Sequence, residues 1–127
     1  MAAFATRGLS FELVEHCSRE HQPVTSPFIL TEVRDKLVSK IGVAAPVAEA
    51  AVTLSRSRFM VIEPAELPRE VCRDRDDDAV LGTAVAGGCD LIVTGDRDLL
   101  DLETYEKISI VSPREFWRRE FLSGNRE

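Results

Sequence analysis

The stretch from Asp74 to Leu100 constrains the fold more than any other part of the chain. It opens on an acidic string, Asp74-Arg75-Asp76-Asp77-Asp78, and continues into small and apolar residues up to Ala86. Gly87-Gly88 then interrupts it, Leu91-Ile92-Val93-Thr94 is apolar and β-prone, and Gly95-Asp96-Arg97-Asp98 follows. Val80, Leu81, Ala84 and Val85 recur at helical spacing, so a helix is expected over 78–86, with acids in the first turn where the helix dipole favours negative charge. The apolar run after it reads as a buried strand, with Gly95 allowing a sharp turn that presents Asp96. A helix that feeds a parallel strand begins at the edge where that strand ends, so the two acidic groups can meet there. Two carboxylates about 4 Å apart interact by roughly 4 kcal/mol at a surface-like dielectric, and a hard divalent cation relieves that repulsion. The alternative is a solvated charge run that caps the helix.

The rest of the chain alternates in the same way. Leu9 to Cys17 fits a short helix with Phe11, Val14 and Cys17 on one face, and Gln22 to Thr25 a short strand. Ser26-Pro27 is a helix start, followed by Leu30, Val33, Leu37 and Ile41 at helical spacing and by Gly42 as the stop. Pro46 begins another helix with Val47, Ala50, Ala51 and Leu54 expected inward. Phe59 to Ile62 is a continuous apolar run, as for a strand covered on both faces. After a Pro-bearing loop over 63–73 and the acidic segment, Ile108 to Val111 is a further strand. Ser112-Pro113-Arg114-Glu115 is a capping box before Phe116 and Trp117. This order predicts an α/β domain with a mostly parallel sheet flanked by helices and right-handed crossovers, one domain over 1–127.

Composition narrows the function classes. A net charge of −6 argues against tight nonspecific nucleic-acid binding by bulk charge, though a metal-bridged phosphate substrate is compatible with it. No apolar run approaches the roughly 20 residues that cross a bilayer, so no membrane partner is expected and the cytoplasm is the expected location. Cys17, Cys72 and Cys89 stand at unrelated spacings and read as free packing thiols. No Ser-His-Asp order, GxSxG or phosphate-binding glycine loop is present, and no cofactor-binding residues are expected. Glu32 lies six residues beyond Ser26 and can reach back toward the acidic edge, but it also has Lys36 at i+4 as a helix-surface partner. Thr94 can orient a water or a carboxylate, or simply serve as a β-former. His16 and His21 read as surface residues. Arg114, Arg118 and Arg119 form a basic patch beside Trp117, more in keeping with a solvated helix face than with a phosphate contact.

These motifs together resemble the PIN domain, a metal-dependent nuclease fold, and in particular the PIN subfamily assigned to toxin components of toxin–antitoxin modules. Asp74 to Leu81, Ala84, Gly88, Asp90 and Val93 to Leu100 resemble its C-terminal block. Val111 to Phe116 resembles its ending, and Ser26-Pro27 through Glu32 its second motif. The resemblance implies that Glu32, Asp78 and Asp96 are the catalytic, metal-gathering acids for Mg²⁺ or Mn²⁺, with Asp98 and Thr94 auxiliary. It implies hydrolysis of RNA phosphodiesters, an antitoxin as partner, and a homodimer. An inactive PIN-fold binding or oligomerisation module is the alternative. A receiver-type phosphoacceptor domain is a weaker third, since no suitably placed lysine follows a late strand.

The chain departs from the family at its beginning. PIN domains open on a central strand that ends in an acid, whereas Met1 to Leu9 resembles the segment after that strand, and no Asp precedes Asp35. The N-terminal central strand is therefore expected to be missing, together with the first ligand. A start assigned too late, a non-catalytic remnant, and replacement of the strand by a neighbouring segment are the three explanations. Weakened metal affinity and little nuclease activity are the expected consequence.

Overall fold

The computed structural model describes residues 3–6 and 11–124. Its centre is a six-stranded sheet in the order β3-β2-β1-β4-β6-β5, from β1 (Ala3–Thr6), β2 (Gln22–Thr25), β3 (Met60–Val61), β4 (Leu91–Val93), β5 (Thr104–Tyr105) and β6 (Ile108–Val111). All neighbours are parallel except β5, which runs antiparallel to β6. The helices are α1 (Phe11–Glu20), α2 (Pro27–Lys36, continued by a π-turn over Leu37–Ile41), α3 (Ala45–Arg58), α4 (Arg75–Ala86), α5 (Arg97–Leu102) and α6 (Pro113–Gly124). The expected parallel α/β architecture is the one observed.

The missing central strand is a correction. Ala3–Thr6 fills that position, with Ala5 opposite Val24 of β2 on one side and Ile92 of β4 on the other. Ladder pairing uses backbone groups only, and β2 and β4 both need partners for theirs. A four-residue segment without proline meets that need, so its unremarkable side chains gave no warning. The side chains of Phe11 and Val14, assigned inward from the sequence, lie outside the described residues, while Cys17 is buried.

Two helix faces also differ from expectation. α2 does begin at Ser26, whose Oγ accepts the Ile29 N–H at 3.4 Å, and it buries Ile29, Leu30 and Val33. Ile41, however, is 70% exposed. The π-turn closes i→i+5 bonds, adds a residue to the last turn, and rotates Ile41 off the inward stripe. Gly42 then ends the helix at φ 82°, a left-handed position suited to glycine. On α3, Ala48, Val52 and Ser55 face inward, not Val47, Ala50 and Leu54. Small side chains let α3 pack closely against α2. β3 pairs only with β2, so Met60 is 47% exposed instead of covered on both faces.

The core lies on both faces of the sheet. Val24, Ile29, Val80, Leu81, Ala84, Ile92, Leu99 and Ile110 form one cluster. Cys17, Val93, Val111 and Phe116 form the other, with Trp117 packed against it. A buried hydroxyl bond, Thr83 Oγ1 donating to Ser26 Oγ at 2.9 Å, ties the start of α2 to the middle of α4. No helix among the described residues is long and apolar enough to cross a membrane.

Candidate active site

In a parallel sheet the helix before a strand starts at the strand's carboxyl edge, and α4 therefore brings its acidic first turn to the end of β4. Asp74 caps α4, its side chain accepting the Asp76 N–H at 2.9 Å. At the other side, Thr94 is buried at the end of β4, and its Oγ1 accepts the Asp96 N–H at 3.1 Å. That bond shapes the turn into α5, where Asp96 Oδ1 accepts the Leu99 N–H at 3.2 Å as N-cap. Gly95 makes this turn without a positive φ.

The carboxylates that meet are those of Asp77, Asp96 and Asp98, with one oxygen of each within 4.8 Å of the other two. Asp77 is 1% exposed, whereas the Asp98 side chain is 43% exposed and takes a contact of 3.3 Å from Arg73. The Arg73 side chain is itself largely in solvent, so this pair contributes little to stability.

Of the residues expected at the site, Asp96 and Asp98 are brought together and Thr94 supports their turn. Asp78 points elsewhere. Its Oδ1 accepts the Cys72 N–H at 2.8 Å and its Oδ2 the Val71 N–H at 3.2 Å, closing the loop that precedes α4. Consecutive helical residues diverge by about 100°, so Asp77 and Asp78 cannot both face β4. Asp77 stands three, four and seven residues before the buried Val80, Leu81 and Ala84. Extending that stripe backward by one turn identifies it from sequence; the family motif drew attention to Asp78 instead. Glu32, half-buried on α2, lines a cleft of about 320 Å³ with Phe28, Thr31 and Asp76, so it stands beside the first turn of α4.

The site has the oxygen-only donor set that Mg²⁺ and Mn²⁺ prefer. β1 adds no acid to it. Thr6 pairs with Val93, so the end of β1 lies next to the site, but Glu12 is the first carboxylate of the chain. All three cysteines are free, and burial, foremost, pushes each thiol up to about 12, with the Asp78 hydrogen bond adding to the effect at Cys72, so the thiolate form is disfavoured. On α6, Phe116 is buried, Ser112 Oγ accepts the Glu115 N–H, and Glu115 takes up both Arg118 and Arg119. His16 and His21, expected on the surface, are instead half-buried against α6.

The family model described as PIN domain matches residues 4–98, which include all of β1 but Ala3 and all three converging carboxylates. No curated protein matches the chain.

Proposed function

The chain belongs to the PIN domain family, a nuclease-type family that generally depends on divalent metal, and on that premise we propose that it is a metal-dependent ribonuclease, the toxin-like half of a toxin–antitoxin pair. The observation that carries this reading is the convergence of Asp77, Asp96 and Asp98 at the carboxyl edge of the sheet. Asp77, Asp96 and Asp98 would hold the cation, Mg²⁺ or Mn²⁺. Such an ion, when bound, offsets the charge of a phosphodiester and makes a bound water more acidic.

The remaining work falls to the chain itself. The Thr94 hydroxyl fixes the turn that orients Asp96. Asp78, the acid expected as a ligand, keeps the 63–73 loop closed against α4 and so sets where Asp77 begins. Glu32 stands on the rim of the neighbouring cleft, where RNA lying across the first turn of α4 would meet it. Arg73, paired with Asp98, can exchange that carboxylate for a substrate phosphate. The toxin reading also carries two protein partners, an antitoxin and a second copy of the chain. Val38, Ile41, Val47 and Leu54, exposed on α2 and α3, supply apolar surface for one of them.

A second reading is an inactive PIN-fold binding module. It is favoured by one observation, the absence of a carboxylate from β1. Titration with Mn²⁺, followed by thermal unfolding and by cleavage of a structured RNA, separates the two. The nuclease reading expects a rise in Tm at millimolar Mn²⁺ and slow, chelator-sensitive cleavage that disappears in Asp96→Asn. No Tm rise and no cleavage would leave only the binding module.

A further inference from the structure

A second group of ligand-type side chains stands at the opposite edge of the sheet. α1 runs down to the amino end of β2, bringing His16 on its last turns and His21 at the join. α6 leaves the carboxyl end of β6 and returns, bringing Glu120 to the same edge. His16 Nε2 lies 2.5 Å from Glu120 Oε1, and His21 Nε2 lies 2.6 Å from the same oxygen. The side chains are 22%, 16% and 21% exposed, so the group is walled but open to solvent.

Aromatic packing aims the rings. His16 meets Trp117 edge-on at 5.0 Å and Phe116 at 6.0 Å, and His21 meets Phe116 at 6.0 Å. Phe116 is anchored in the core, so both imidazoles are steered from one rigid surface. A surface ion pair needs one cation and one anion. Here two imidazole nitrogens and a carboxylate oxygen, from segments about a hundred residues apart, converge within 4.8 Å. Two histidines with one carboxylate form a donor set that zinc and its transition-metal neighbours accept, and three protein donors leave a coordination position open.

We propose that His16, His21 and Glu120 form a binding site for a zinc-class divalent cation that fastens α6 to α1. Ligand atoms at zinc distances stand about 3.3 Å apart, so the present contacts must widen by less than 1 Å. The flexible Glu120 side chain can supply that movement. Each ring must offer the Nε2 lone pair, so a neutral imidazole that carries its hydrogen on Nε2 shifts it to Nδ1. The acidic cluster across the sheet has oxygen donors alone and favours magnesium-class ions, so the two sites differ in chemistry and this one stands without the nuclease reading.

Titration of the full chain with Co²⁺, read by visible ligand-field absorption and by Tm, tests the site. With excess Mg²⁺ present to occupy the acidic cluster, the expected result is one equivalent bound, displaced by Zn²⁺ and retained in Asp77→Asn. Affinity should fall more than tenfold in His16→Gln and in His21→Gln. Absence of Co²⁺ or Zn²⁺ binding, or binding unchanged in both histidine variants, would overturn the proposal. X-ray absorption of the zinc-loaded wild-type chain decides the matter without variants. A shell of nitrogen and oxygen with two imidazoles supports the site, and a sulfur shell or an imidazole-free shell overturns it.

Discussion

One side-chain direction decides the chemistry of the acidic edge. Asp77 and Asp78 are adjacent and identical, yet one is buried and turned toward Asp96 and Asp98 while the other holds two backbone N–H groups of a loop. Their replacements should separate cleanly. Without a cation, Asp77 meets two other carboxylates at distances where each pair repels by about 3 kcal/mol at an intermediate dielectric. A bound cation relieves that repulsion, and Asp77→Asn should abolish the rise in Tm on adding Mn²⁺. Asp78→Ala should do the reverse. It strands the Val71 and Cys72 N–H groups at a cost of about 1–3 kcal/mol, while the metal-induced shift persists. Urea unfolding with and without Mn²⁺ measures both. Equal loss of the metal response in the two variants would show that Asp78 acts as a ligand after all.

At the scale of elements, the loop over 63–73 depends on α4 for its path. Ala65 N–H donates to the Gly82 carbonyl at 2.9 Å, and a Cβ built at Gly82 would stand 2.3 Å from the Ala65 oxygen. Backbone cannot step aside as a flexible side chain can. Gly82→Ala should therefore cost roughly 1–3 kcal/mol, read as a lower urea midpoint with an unchanged slope. The start of α6 carries a different signature. Hydrogen bonds from Arg118 and then Arg119 hold the Glu115 carboxyl at about 2, against an ordinary 4.5. A depressed carboxyl stabilises the fold fully above its ordinary value, and that contribution disappears as pH falls toward the folded one. Acid unfolding of wild type and Glu115→Gln should thus differ above pH 4.5 and converge toward pH 2. Salt should narrow the gap, because these side chains meet at the surface. A gap that stays constant across that range would rule out the ion pairs as its source.

The whole molecule shows apolar surface where α2 and α3 meet solvent. Val38, Ile41, Val47 and Leu54 are exposed because the π-turn and the Ala48-Val52-Ser55 face turn them outward. If that surface joins two copies, Ile41→Lys should convert a dimer to a monomer in sedimentation velocity without lowering Tm. A monomer already present in the wild type would reserve the surface for another partner. Much of the architecture was legible beforehand. Ser26-Pro27, the acidic start of α4, Gly42, and the apolar runs of β4 and β6 each declare a local conformation through capping, dipole or burial, which act within a few residues. The short β5 and the inward face of α3 were not legible, since pairing and close packing depend on distant neighbours. The same division holds at the sites. By itself the sequence determined a parallel α/β domain of the PIN family with acids at one sheet edge, because periodicity and residue type suffice for that. Tertiary structure alone decided that Ala3–Thr6 occupies the centre of the sheet, that Asp77 joins Asp96 and Asp98, and that His16 and His21 converge on Glu120. Each of those outcomes depends on where separate segments come together in space, a relation that spacing along the chain does not contain.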